Sequence, residues 1–238
     1  MSFSAEKVAV AAAANLAHVI GPLNDAFHAS RPAATATDSL ASSGALVAQI
    51  ASGAPFDVFL AADMGFARAL VDKGAADGST LAPYAVGRLV LWTAKPGLVL
   101  RDVSALRGGG VRRFAIANPA TAPYGRAAKE ALVKLGLWDG LQPKLVTAGD
   151  ITQAAQFVET GNVDAGFVAL SAVLSPSLRG EGSYAEVPPN LYAPIVQGMV
   201  LTMHGKSNAA AAAYLAFMRG PEAGRILRAA GYGIPALP

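Results

Sequence analysis

Five glycines constrain this 238-residue chain more than any other feature, because each closes a helix-like run and most of those runs follow an apolar strand-like one. Leu46, Val47 and Ile50 share a helical face before Gly53, as do Phe66, Leu70 and Val71 before Gly74. Ala128, Ala131, Leu132 and Leu135 repeat the pattern before Gly136, and Ile151, Ala155 and Val158 repeat it before Gly161. Pro221 and Glu222 open a last run, whose Ile226, Leu227 and Ala230 precede Gly231. A glycine just past the final periodic residue reads as a helix stop. Runs rich in Val, Phe, Leu and Ala at 8–14, 57–61, 88–94, 114–117, 144–147, 166–169 and 195–203 read as strands. Alternation of this kind predicts α/β layers with mainly parallel sheets. The length suits either one large domain or two lobes of about 100 to 120 residues, each able to bury a core.

Composition removes several classes of function. A hydrophobic fraction of 53% looks membrane-like, but Ala supplies much of it, and 25 Gly and 15 Pro punctuate the chain. The longest uncharged stretches, 8–24 and 39–56, carry Asn, His, Ser, Gln, Gly or Pro, unlike an apolar span of about 20 residues. No transmembrane helix is expected. The charge of +3 rests on 19 basic against 16 acidic residues, spread thinly, and only 107–113 bunches the basic ones, around three glycines. A solvated turn explains that bunch better than a nucleic-acid patch, which wants a longer basic stripe with interleaved aromatics. The absence of cysteine excludes disulfides, thiolate metal sites and cysteine nucleophiles. No signal peptide is visible before the first strand-like run, and residues 2–5 read as the remnant of a small-residue cleavage site behind an added Met, as in a mature secreted form.

Signatures of catalysis are missing. A phosphate loop ending at Gly205-Lys206-Ser207 would need a glycine where Val200 stands. There is no dinucleotide fingerprint, no nucleophile elbow and no paired-histidine zinc motif, and His18, His28 and His204 are scattered. Asp57 and Asp63 flank an apolar run, where a strand start and a helix N-cap explain them more simply than acid–base work.

What recurs instead is an uncharged loop opening into a helix. Ser42-Ser43-Gly44 precedes the run from Ala45, and comparable hand-overs occur at Ala14-Asn15, at Pro123-Tyr124-Gly125 and at Asp150-Ile151. A helix N-terminus presents N–H groups without intrahelical partners and a partial positive charge, so small residues there let an anion approach. In open α/β sheets, ligands bind beyond the carboxyl ends of the strands, where all four loops fall. Taken singly, each also has a purely structural reading: Ser42 and Ser43 as helix caps, Asn15 as an N-cap, Tyr124 as a turn aromatic behind Pro123. If the halves form lobes, the loops face one another across a cleft, with 85–88 and 195–198 as hinges.

At these loops the chain resembles the molybdate-binding proteins of bacterial ABC importers, members of the two-lobed periplasmic receptor class. The resemblance runs over nearly the whole length. It is carried by Ala11-Ala12-Ala13-Ala14-Asn15-Leu16, by Ala41-Ser42-Ser43-Gly44, by the stretch from Gly53 to Asp63, by Leu89-Val90-Leu91-Trp92, by Asn118-Pro119 with Ala122-Pro123-Tyr124-Gly125, by Gly166-Phe167-Val168-Ala169-Leu170 and by Gly220-Pro221-Glu222-Ala223. It implies a type II periplasmic-binding-protein fold, α/β, each lobe a mainly parallel sheet flanked by helices. Lobe 1 would hold 1–86 and 197–238, lobe 2 would hold 87–196, and the ligand cleft would lie between them.

The resemblance further implies a non-enzymatic, high-affinity receptor, without cofactor, that closes its lobes over molybdate or tungstate. The metal would be held only through its oxygens, by Ala14, Asn15, Ser42, Ser43, Tyr124, Gly125 and Ile151. Ser43 matches a ligand hydroxyl, Asn15 a position where many members have Ser, and Tyr124 and Ile151 positions that donate through the backbone. The implied partners are the anion and an inner-membrane ABC permease, with no nucleic acid, for a periplasmic monomer whose signal peptide is absent from this sequence. Two departures stand out, Asn15 in place of a hydroxyl and Ala169 where many members have a Tyr that contacts the anion. The Asn side chain still offers N–H donors, whereas Ala169 removes one. Neutral donors suit a fully ionised tetrahedral dianion, whereas protonated phosphate wants an acceptor, and Asp150 is the one carboxylate in these loops. The alternatives are a receptor for another tetrahedral oxyanion such as sulfate, a ligand-sensing domain of a transcription regulator, or an enzyme on the same scaffold. Arg126 reads as solvated rather than as a ligand, and Ser43→Ala is expected to weaken binding with little effect on folding.

Overall fold

The computed structural model describes residues 6–235, so the reading of 2–5 as a cleavage remnant lies outside them. The chain divides into two compact units, one holding the described residues up to Val86 and from Val196 onward, the other Gly87–Ile195. Val196, expected in the second lobe, thus falls in the first unit.

A five-stranded sheet builds the first unit. Its strands are β1 (Glu6–Ala13), β2 (Ala34–Ala41), β3 (Val58–Leu60), β4 (Ala82–Gly87) and the late strand β10 (Ile195–Leu201), in the order β2-β1-β3-β10-β4. β1 runs parallel to β2 and β3, while β10 is antiparallel to β3. The helices are α1 (Ile20–Ser30), α2 (Ser43–Ala51), α3 (Met64–Asp72), α8 (Ala209–Met218) and α9 (Pro221–Ala229). Successive strand residues point to opposite faces, so a sheet covered on both sides needs apolar residues at every position. Val8, Val10 and Ala12 of β1, Val58 and Leu60 of β3, and Met199 and Leu201 of β10 pack with residues of α1, α8 and α9. The intervening Ala11, Phe59 and Val200 pack with Leu46, Val47 and Ile50 of α2 and Ala67 and Leu70 of α3.

The second unit repeats the plan with β5 (Leu89–Thr93), β6 (Phe114–Ala117), β7 (Leu145–Ala148), β8 (Ala165–Ala169) and β9 (Ser183–Glu186), in the order β7-β6-β8-β5-β9. Its helices are α4 (Pro123–Lys134), α5 (Trp138–Leu141), α6 (Ile151–Glu159) and α7 (Leu170–Val173). β6 is parallel to β7 and β8, whereas β5 is antiparallel to β8 and β9. Both sheets are therefore mixed: three adjacent parallel strands carry strand-to-helix connections, and each sheet continues into an antiparallel strand, β10 in the first and β5 in the second. Among the described residues no helix is long and apolar enough to cross a membrane.

All five glycines expected to stop helices have φ between +64° and +91°, a conformation that side-chain-bearing residues rarely adopt. Three strands escaped the sequence reading. β2 and β9 each lie at one edge of their sheet, and Thr35, Thr37, Asp38 and Ser39, or Ser183 and Glu186, break the apolar signature. β4 was expected to supply a hinge at its end, and the 195–198 segment likewise lies within a strand, β10.

The basic bunch at 107–113 is a turn held by its backbone. The Lys144 ammonium donates to the carbonyls of Leu106 (3.0 Å), Gly108 (3.3 Å) and Val111 (2.8 Å). Asp164 accepts from the N–H groups of Arg112 (2.7 Å) and Arg113 (3.1 Å), and Lys95 donates to its other oxygen at 2.7 Å. Burial by itself would raise the Asp164 carboxyl, but the Lys95 ammonium and the two N–H groups outweigh it and hold it below the usual carboxylate range. A depressed folded-state pKa stabilises the fold above the unfolded value and ceases to do so as pH falls through the folded one. Lys95→Met is therefore expected to cost about 0.2–1 kcal/mol at neutral pH, the range of half-exposed pairs. In urea melts across a pH series, that difference should shrink below about pH 4 as Asp164 protonates in both proteins.

Candidate functional site

In the first unit, parallel pairing brings two of the proposed loops to one sheet edge. Ala13 of β1 lies opposite Ala41 of β2, so the chain leaves both strands side by side. β1 continues into a 3-10 turn at Ala14–Leu16 and β2 into α2. Leu60 of β3 lies opposite Ala12, and Ala61 and Ala62 therefore emerge at the same edge.

The two serines divide the work between them. Ser42 is the N-cap of α2, its backbone extended and its Oγ accepting from the Ala45 N–H at 3.4 Å. Ser43, 1% exposed, is not a cap: its Oγ reaches across to accept from the Ala62 N–H at 2.9 Å. With one lone pair engaged by the Ala62 N–H, the hydroxyl keeps its proton as a donor and a second lone pair. The buried bond also revises the expectation for Ser43→Ala, since removing Oγ strands a buried N–H.

Asn15 is buried and its carboxamide turns into the unit. Nδ2 donates to Gln197 Oε1 and to Tyr232 Oη, each at 3.1 Å. The amide orientation follows from the partners: Tyr232 spends its hydrogen on the Asn15 carbonyl at 2.6 Å, so its oxygen can only accept from the side chain. Tyr84 donates to the same Gln197 oxygen at 2.7 Å. Burial above all, then the neighbouring Tyr232 and Tyr214, pushes the Tyr84 hydroxyl well above its ordinary range, so it stays a neutral donor. The side-chain N–H groups expected to face a ligand are thus committed inside the protein.

In the second unit, Ala117 of β6 lies opposite Ala148 of β7, and the Asn118 N–H donates to the Ala148 carbonyl at 2.8 Å. α4 begins beyond β6 with Pro123 in its first turn, where the missing N–H costs nothing. Tyr124 is 1% exposed and Gly125 buried. A Cβ at Gly125 would stand 2.0 Å from the Ala117 carbonyl oxygen and 2.6 Å from its carbon, so glycine lets the first turn of α4 press against the end of β6. Beyond β7, Ile151 is buried as the first residue of α6, and Asp150 Oδ1 accepts from the N–H groups of Thr152 (2.8 Å) and Gln153 (2.9 Å). Asp150 is a helix cap. Ala169 ends β8, buried, with extended backbone.

The acids and bases considered from the sequence have structural work. Asp57 Oδ2 accepts from the Ala9 N–H at 2.7 Å, and Asp63 Oδ1 caps α3 through the Phe66 N–H at 2.7 Å. His28 Nδ1 pairs with the Ala34 carbonyl at 2.9 Å, while His204 and Arg126 are exposed. Among the described residues no three His, Asp or Glu side chains gather in a way that could hold a metal ion. The structure therefore collects Ala14, Asn15, Ser42 and Ser43 at one sheet edge of the first unit, and Tyr124, Gly125 and Ile151 at one sheet edge of the second. Gln197, Tyr84 and Tyr232 were not singled out from the sequence. The readable signal was Gln197, the one side chain capable of strong hydrogen bonds in the run Ile195-Val196-Gln197-Gly198-Met199-Val200-Leu201.

Residues 8–233 match the family described as bacterial extracellular solute-binding protein. The molybdate-binding protein ModA of Azotobacter vinelandii is 42% identical over 97% of this chain and 91% of its own length. ModA of Rhodobacter capsulatus is 46% identical over 83% of this chain and 77% of its own. The solved periplasmic molybdate-binding protein of Azotobacter vinelandii superposes with a TM-score of 0.91 at 39% identity, covering 96% of this chain and 99% of that one. The chain belongs to the bacterial extracellular solute-binding proteins, among the relatives of ModA.

Three substitutions probe the site's framework. Ser43→Ala should lower stability by about 1–3 kcal/mol, the cost of an unsatisfied buried N–H at Ala62, whereas Ser42→Ala should cost about 0.5–2 kcal/mol as a lost cap, nearer the lower figure given its long bond. Gly125→Ala should cost about 1–3 kcal/mol, because the added methyl meets backbone that cannot rotate away. Urea denaturation of each variant measures these differences.

Proposed function

We propose that this protein is the periplasmic receptor of an ABC importer and that it captures molybdate or tungstate from solution for delivery to a membrane permease. We assign the donors to Ala14, Asn15, Ser42 and Ser43 of the first unit and to Tyr124, Gly125 and Ile151 of the second. The observation that carries this reading is the chemistry of the donors. α2, α4 and α6 each start at the carboxyl edge of a parallel strand pair, α2 beside the Ser42 and Ser43 hydroxyls, and the one cationic side chain in their first turns, Arg126, is exposed. Neutral dipoles can surround a dianion's oxygens and still release it, because no buried counter-charge is left behind.

The anion's metal is cargo, held through oxygen, and the receptor carries out no chemistry on it. Asn15 contributes through its backbone, and Ser43 through its hydroxyl proton. The engagement of Asp150 as a cap disfavours monoprotonated phosphate, which wants a free acceptor. The named relatives favour a transport receptor over the sensing domain of a regulator.

Calorimetric titration with molybdate, tungstate, sulfate and phosphate, paired with thermal melts, tests the reading. Molybdate or tungstate at 100 times its dissociation constant should stabilise the fold by about 2.7 kcal/mol. A response confined to sulfate reassigns the ligand within the oxyanions, and silence toward all four anions refutes the receptor role.

A further inference from the structure

We propose that Gln197 is a positioning residue for the anion-binding turn: it acts on the ligand through Asn15 and touches no part of the ligand itself. This rests on the oxyanion reading above. Gln197 is 0% exposed on β10, one residue after the chain re-enters the first unit at Val196, on the sheet face otherwise formed by Met199 and Leu201. A carboxamide in such a place is costly unless its polar atoms are met. Its Oε1 accepts from Tyr84 on one side and from Asn15 Nδ2 on the other. Tyr232, just past α9, closes the circuit by accepting from Asn15 Nδ2 and donating to the Asn15 carbonyl.

The geometry gives Asn15 three hydrogen bonds to residues that follow it by 182 and 217 positions, all within one unit. A three-residue turn has few internal bonds, and these external ones set where Ala14 and Asn15 stand. Serine at position 15 would be too short to reach both partners. The amide thus replaces a hydroxyl without taking over its role. It exchanges a side-chain ligand for a rigid frame that aims the turn's backbone. Preorganised donors bind more tightly than mobile ones, because ordering them on binding costs entropy.

The test is a double-mutant cycle on the full chain with Asn15→Ala and Gln197→Leu, read by molybdate calorimetry and by ligand-free melting. Tyr214→Phe serves as the stability control, because it removes a buried hydrogen bond to Asn24 in the same unit. Each single variant at 15 or 197 should weaken molybdate about tenfold, and the double variant no more than about threefold beyond the weaker-binding single one, the signature of residues acting as a unit. Tyr214→Phe should lower the melting temperature and leave affinity unchanged. If Gln197→Leu keeps wild-type affinity and loses only stability, or if the two losses multiply, the proposal is overturned.

A ligand-free readout separates this proposal from the receptor reading. In NMR spectra of the wild type, the Asn15 side-chain NH2 should exchange slowly with solvent. In Gln197→Leu it should exchange faster, with backbone shifts at 14–16 and none at 43–46. Fast exchange in the wild type would overturn the proposal even if molybdate binds, and slow exchange would support the frame even if it does not. Should Gln197→Leu fail to fold, Gln197→Met and Tyr232→Phe carry the same comparison.

Discussion

Parallel pairing of strands is the constraint on which everything else in this protein depends. Strands that run side by side in the same direction deliver the chain to the same edge, and in each unit that edge is where helices begin. The register of Ala13 with Ala41, and of Ala117 with Ala148, is therefore a statement about the site as much as about the sheet. Helix N-termini need acceptors, and the protein meets some of that need with Ser42 and Asp150 as caps. The remaining N–H groups in the first turns give each sheet edge its attraction for an anion.

Within the first unit a second constraint operates, the satisfaction of buried polar groups. Ser43 Oγ accepts a bond from the Ala62 N–H, and Asn15 donates its side-chain N–H groups to Gln197 and Tyr232. Residues that look like ligands in a linear reading are thus partly framework. For Ser43 the two roles are compatible, since the hydroxyl has one function as acceptor and another as donor. For Asn15 the side-chain N–H groups are committed within the unit.

Much of the architecture was legible because it follows from local rules. The positive φ at Gly53, Gly74, Gly136, Gly161 and Gly231 is what a helix stop requires, and no neighbour had to be known to expect it. The buried strands β1, β3, β5, β6 and β8 were visible because both faces demand apolar residues. β2 and β9 were not, because an edge strand tolerates Thr, Ser, Asp and Glu on its open side and loses the apolar signature. β4 was hidden by its position at the passage between units, where a connecting segment and a strand share the same residues.

The sequence by itself determined the hand-over from strand to helix at each loop, the uncharged character of those loops and the family to which they point, because each depends on residues adjacent in the chain. Tertiary structure alone decided which polar groups remain for a ligand. Ser43 meets Ala62 across 19 positions, and Asn15 meets Gln197 across 182, and hydrogen bonds of that kind depend on distance in space, which linear spacing does not encode. A serine that read as a cap or a ligand is a strut to Ala62, and an asparagine that read as a ligand ties its own turn to Gln197 and Tyr232.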